Sequence, residues 1–300
     1  MKIRRREFIK RSAAGLSGTL LGIQTAFPAE SKPEHFEPYE PVSLGGTGLR
    51  CSRVCMGTGM RGGNRESNQT RLGKAGFESL IRGAHERGVN TFDLADLYGT
   101  HPYVIPALKA IPRDQLNLFT KIWWRPGGLP EKERPDADQV VERFLKELKT
   151  DYIDLVLLHC VVSADWPTEL RRQMDLLAKL KERGVIRAHG VSCHSLPALE
   201  ACATEPWVDS VHARINPYGA KMDGPSEQVA PVLKRIHQAG KGVVGMKLIG
   251  EGTFRDSDEK RNATVRYVLG LGCVDVLNVG FESTVEVDDF ATRVSRVSKA

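Results

Sequence analysis

From Pro41 to the C-terminus, the apolar and polar positions of this chain alternate in a repeating cycle. Short apolar, β-branched runs fall near 53–57, 90–93, 116–121, 153–159, 187–192, 210–215, 242–247 and 274–279, and each predicts a strand. The run IDLVLLH at 153–159 is apolar at nearly every position, as in a parallel strand covered on both faces. Between the runs, apolar residues recur at helical spacing. Phe77, Leu80, Ile81 and Ala84 share one face of a helix over about 75–87, which Gly88 stops. Leu170, Met174, Leu177 and Leu180 do the same over about 168–183. Further helices are expected near 103–111, 138–149, 196–203, 227–239, 258–270 and 284–297. Ahead of the cycle, Val42–Leu44 and Leu49–Ser52 flank Gly45-Gly46-Thr47-Gly48 and predict a hairpin.

Eight strands, each followed by a helix, predict an α/β fold. The expected form is a closed (β/α)8 TIM barrel over residues 41–300, preceded by the short hairpin, rather than an open doubly wound sheet. No GxGxxG follows the first strand, so a Rossmann cofactor site is not expected.

The first 29 residues have a different pattern: a basic start, a weakly apolar stretch broken by Gly, Ser, Thr and Gln, then a polar segment. That layout is a secretory signal's, and Arg5-Arg6-Glu7-Phe8-Ile9-Lys10 resembles the twin-arginine export signal. Residues 30–40 read as a linker. The apolar stretch is too short and polar for a stable membrane span. The expected location is the periplasm or another exported site, with the twin-arginine machinery as a partner. This segment carries six Lys and Arg against one acid, net +5, so the chain's +6 leaves a body near +1. No basic patch suggests nucleic acid. The six cysteines, at 51, 55, 160, 193, 202 and 273, match no zinc or iron–sulfur spacing and are expected to be buried thiols. No metal site is expected.

In a TIM barrel, the reactive face lies at the C-terminal ends of the strands. Asp93 ends the second strand, Tyr98 follows five residues later, Lys121 ends the third and His159 the fourth. These types suit carbonyl reduction. Tyr delivers a proton to the nascent alkoxide, and a nearby Lys lowers its pKa. Asp holds the Lys charged, and His donates to the oxyanion.

On this order of residues, together with LGGTGLRCSRVCMGTGMRGG, DYIDLVLLHC and GVIRAHGVSCHS, the chain resembles the aldo-keto reductase family. The resemblance runs from the hairpin to the last helix. It implies NAD- or NADP-dependent hydride transfer on a small carbonyl or alcohol substrate, with Asp93, Tyr98, Lys121 and His159 as the catalytic group. It also implies that Gly57 and Thr58 lie beneath the cofactor. Where the family has Ser-Asn, Gln and a stacking Tyr around the nicotinamide, this chain has Ser192-Cys193, His212 and Met246. Lys247 and Gly250 fall on the pyrophosphate loop, and Gly280, Ser283 and Glu286 at the start of the final helix. That last stretch holds Glu282, Glu286, Asp288 and Asp289 and no Lys or Arg, so NAD is expected over NADP. Two other readings stay open: a cofactor-binding barrel acting as a sensor or subunit, and a metal-dependent barrel hydrolase.

Overall fold

The computed structural model describes residues 34–299, so the predicted export segment at 1–29 and the start of the 30–40 linker lie outside the described residues. Two short antiparallel strands come first, β1 (Pro41–Ser43) and β2 (Arg50–Ser52), with Pro41 opposite Ser52. Their turn depends on Gly45, at φ +47°, where a Cβ would stand 2.3 Å from the Gly242 nitrogen. Only glycine lets the hairpin approach the barrel floor this closely.

Eight parallel strands follow: β3 (Val54–Gly57), β4 (Thr91–Asp93), β5 (Asn117–Ile122), β6 (Ile153–Val161), β7 (Ile186–Cys193), β8 (Ser210–Arg214), β9 (Gly242–Met246) and β10 (Val276–Gly280). They are neighbours in sequence order, and β10 returns to β3 to close the barrel, with Gly280 opposite Gly57. The outer layer is α1 (Gly73–Glu86), α2 (His101–Leu108), α3 (Ala137–Leu148), α4 (Trp166–Glu169), α5 (Arg171–Glu182), α6 (Leu196–Thr204), α7 (Ser226–Gln238), α8 (Asp258–Gly270) and α9 (Thr284–Ser295). The helix expected over 168–183 divides into α4 and α5, because Leu170 leaves the helical region at φ −108°, ψ 14°.

Strand periodicity sorts the side chains into two cores. One row points into the barrel: Cys55, Phe119, Leu155, Leu157, Ala188, Val244 and Val276 pack there, with Leu44 and Leu49 of the hairpin region below them. The alternate row, including Val54, Phe92, Val156, Leu158, Val191 and Val211, meets the helices. Extending the inward row to the C-terminal rim places Gly57, Asp93, Lys121, His159, Ser192, Arg214, Met246 and Gly280 around one cup. The elements thus fix which residues can act together before any side-chain contact is considered.

Candidate active site

At the centre of the cup is a buried ion pair. Lys121 Nζ donates to Asp93 Oδ1 at 2.6 Å and to the Leu94 carbonyl at 2.9 Å. Asn278, inward on β10, donates to the other Asp93 oxygen at 2.6 Å, and His212 Nε2 lies 3.2 Å from Oδ1. Burial alone would raise the Asp93 pKa. The Lys121 ammonium and His212 outweigh it and hold the carboxyl well below the usual range. Burial pulls Lys121 down, and Asp93 offsets this only in part.

Tyr98 closes a 3₁₀ turn, Asp96–Tyr98, directly after β4. The turn is anchored by Asp96, which accepts from Arg143 at 2.6 Å and from Arg65 at 3.2 Å. Its ring lies against the 59–62 loop: a Cβ on Gly59 would stand 2.2 Å from it, and one on Gly62 2.4 Å. The phenol oxygen is 3.3 Å from His159 Nε2. Burial pushes the His159 pKa well below its ordinary value, aided by Lys121 and His194, so the imidazole is neutral. A neutral ring with Nε2 toward the phenol can donate to an oxygen placed between them.

The expected lowering of the Tyr98 phenol pKa by Lys121 does not occur. The phenol pKa is raised, not lowered: burial pushes it well above the ordinary value, and the negative field of Asp93 acts in the same direction. The Lys121 ammonium lies 5.1 Å from the Tyr98 ring centroid, but its hydrogen bonds go to Asp93 and the Leu94 carbonyl.

A cleft bounded by Gly57, Gly59, Asp93, Tyr98, Met246 and Lys247 opens beside this group. Through Met60, Ile249, Gly252, Val279 and Gly280 it continues to a second basin, where Arg255, Arg261, Glu282 and Glu286 stand. A Cβ on Gly57 would lie 2.5 Å from Asn278 Oδ1, so glycine keeps the cleft floor flat. Lys247 is on the wall with its ammonium 2.7 Å from Glu251. Gly250, at φ +57°, forms the turn behind it. Ser283 caps α9 by accepting from the Glu286 amide.

Three other residues expected around the cofactor do not line the cleft. Cys193 points outward, its sulfur 3.4 Å from that of Cys202, because neighbouring strand residues face opposite ways and Ser192 already points inward. The Thr58 hydroxyl is buried and donates to the Asp93 carbonyl at 2.8 Å. His212 is fully buried beneath Asp93, edge-on to Phe119, below the cleft floor.

The acidic stretch is also not bare. Arg255 lies 3.1 Å from Glu286 and 3.5 Å from Glu282; Arg87 pairs with Asp288, and Arg261 and Arg293 with Asp289. The acids therefore do not present a bare negative surface that would favour NAD, since each has a guanidinium beside it.

Sequence reasoning missed several groups at the rim. Arg214, inward on β8, donates to His194 Nδ1 at 2.6 Å and lies 3.1 Å from Asp223. Cys160 Sγ sits 3.1 Å from the same His194 nitrogen, and Ser192 Oγ 3.2 Å from its Nε2. Burial, with Arg214 and Lys247, takes the His194 pKa down to about 3. Strand parity points to both: Arg214 continues the inward polar row of Ser210 and His212 on β8, and Asn278 is the polar residue of the β10 run.

A family model described as the aldo/keto reductase family matches residues 53–269. The chain belongs to the aldo/keto reductase family. Among relatives of this chain, the Glycine max protein named "Probable aldo-keto reductase 1" is 27 % identical over 223 residues, spanning 72 % of this chain and 61 % of its own. Aldo-keto reductase YhdN of Bacillus subtilis is 29 % identical over 240 residues, spanning 74 % of this chain and 69 % of its own. Of solved structures, the holo form of an aldo-keto reductase from Bacillus halodurans superposes with TM-score 0.69 at 20 % identity, covering 87 % of this chain and 93 % of that one. An aldo/keto reductase from Klebsiella pneumoniae, solved with NADP and acetate, gives 0.62 at 18 % identity, over 87 % and 92 %. At these identities the structural likeness speaks to the fold.

Proposed function

We propose that this oxidoreductase interconverts a small carbonyl compound and its alcohol, using a nicotinamide dinucleotide held in the cleft and Tyr98 as the acid/base. The observation that carries the reading is the phenol of Tyr98 beside a neutral His159, above the buried Lys121–Asp93 pair and open to the long cleft. The cleft suits an extended dinucleotide: a glycine floor at its catalytic end, Met246 as an apolar surface for a ring, and guanidinium groups at the far end. Gly57, Met246 and Gly280 would hold the cofactor along the floor, and Arg255 would meet its adenosine end. The bound nicotinamide supplies or accepts the hydride.

The chain's own residues do the rest. His159 Nε2–H and Tyr98 Oη–H converge on the place a carbonyl oxygen takes, polarise it and fix its distance from the cleft. As negative charge grows on that oxygen, Tyr98 releases its proton to it. The Lys121 ammonium, 5.1 Å from the ring centroid, then faces the phenolate, a role that matters only once the proton has left. The raised phenol pKa keeps Tyr98 protonated through neutral and mildly alkaline pH, which favours the reductive direction. Tyr98→Phe preserves the ring and removes the proton; turnover of any accepted carbonyl falls by about 10²–10⁴ while cofactor binding persists. Activity near that of the parent removes Tyr98 from the mechanism.

The rim favours acceptance of NADP as well as NAD, because Arg255 is half exposed and can turn from Glu286 toward a 2′-phosphate. We also propose that the segment bearing Arg5 and Arg6 is an export address read by the twin-arginine machinery, which carries a folded, cofactor-loaded protein. Replacing both with Lys should retain the chain in the cytosol; unchanged export removes this part of the reading.

A further inference from the structure

We propose that Cys193 and Cys202 are a latent disulfide pair, closed when the folded chain meets a disulfide-donating oxidant. Cys193 ends β7 on its outward face, and Cys202 lies on α6, the helix that follows. Both are fully buried, and their sulfurs stand 3.4 Å apart. Among the described residues no other two thiols are hydrogen-bonded, and all six cysteines are free. A disulfide needs its sulfurs at about 2.05 Å. Sulfurs already in van der Waals contact reach that separation by side-chain rotation and a small settling of α6, with no refolding of the barrel.

The hydrogen bonds describe the reduced pair. Cys202 Sγ–H donates to the Ala198 carbonyl at 3.2 Å, leaving the Cys193 thiol to donate to the Cys202 sulfur. α6 is held at its start by Ser195, which accepts from the Ala198 amide. At its end, Lys241 Nζ donates to the carbonyls of Cys202 and Glu205. Burial pushes the Cys193 thiol well above its ordinary pKa, so the closed fold protects it. Access therefore requires α6 to lift. Nine residues of helix have little stability apart from their packing, and lifting uncovers Cys202 before the strand residue.

The chemistry then balances as ordinary exchange. Cys202 loses its proton to solvent and attacks a small disulfide RSSR, forming a mixed disulfide and releasing RS⁻. As α6 reseats, Cys193 loses its proton and attacks the Cys202 sulfur, forming the intramolecular bond and releasing the second RS⁻. Two electrons pass from the pair to the oxidant, and the two protons lost equal those the released thiolates take up. The new bond fastens α6 to the strand end between Ser192 and His194, which hydrogen-bond to each other where His194 reaches the cleft.

The test uses the full chain, purified reduced and incubated with oxidised glutathione in mild urea. It is then denatured, alkylated and mapped by mass spectrometry. The expected result is four alkylated cysteines, a peptide linking Cys193 to Cys202, and a thermal midpoint raised by about 5 °C. Six alkylated cysteines, a different linkage, or glutathione adducts alone overturn the proposal. In Cys193→Ala the paired loss of two thiols should vanish; a loss that persists also overturns it. If that variant does not fold, the map of the parent chain decides.

Discussion

Two charge clusters stand at opposite ends of the same cleft, and they handle charge differently. At one end, Lys121 and Asp93 are removed from water, with Asn278 and the Leu94 carbonyl completing their hydrogen bonds. At the other, Arg255, Glu282 and Glu286 form a half-exposed network in which each group still meets solvent. In the first, burial makes every partner indispensable, because a charge left alone there has nothing to replace it. In the second, water and salt screen the pairs, and the side chains can be exchanged or turned toward a ligand. The first end is built to keep its geometry and the second to release it.

The sharpest way to break this contrast is Lys121→Met. It leaves the Asp93 carboxylate buried without its cation, and we expect a loss of roughly 3–5 kcal/mol in urea unfolding. The double variant with Asp93→Asn should recover part of that loss. A single variant as stable as the parent would mean that water reaches Asp93 and that the pair is not isolated.

Asp223, beside Arg214 at the rim, lies between the two extremes. Burial raises its pKa to about 6, against the pull of Arg214. A raised carboxyl contributes stability that is complete below its unfolded value, near 4, and is lost as pH rises through about 6. Asp223→Asn should therefore match the parent below about pH 4 and exceed it at pH 7, by on the order of 1–3 kcal/mol. Equal stability at both pH values would place Asp223 with the screened groups.

The smallest effect belongs to the far end. Arg255→Ala should change stability by less than about 1 kcal/mol, since its pairs are exposed. NADP affinity at low salt should drop several-fold while NAD is nearly unaffected. An equal drop for both would show that Arg255 acts on the shared pyrophosphate.

How much of this was legible in the sequence follows the same contrast. Asp93 ends β4, while Lys121 and His159 stand near the ends of β5 and β6, one and two residues short of where the strands stop. The alternation fixes their direction, so the period of two alone brings them to one cup. The same rule excludes Cys193 from the cleft beside Ser192. The acids at 282–289 were visible, as was Arg293 four residues after Asp289, but the distant partners were not. Arg87 comes from the end of α1 and Arg255 from the loop before α8, and no local pattern announces a pairing across that many residues. Burial was hidden for a similar reason. A lysine near a tyrosine suggests a lowered phenol pKa, until the structure shows the ammonium bonded to Asp93 and the partly buried ring wedged against the 59–62 loop.

The loop that wraps the phenol also restricts how this protein can change over generations. A methyl group on Gly59 or Gly62 would occupy space that the Tyr98 ring already fills, at 2.2 and 2.4 Å. The three positions are therefore inherited as a set. A lineage can lose the phenol and later admit larger residues at 59 and 62. The reverse path is longer: once a side chain has grown into the nest, restoring the tyrosine requires both glycines to return first. A descendant with bulky residues at those positions has no room for the tyrosine ring.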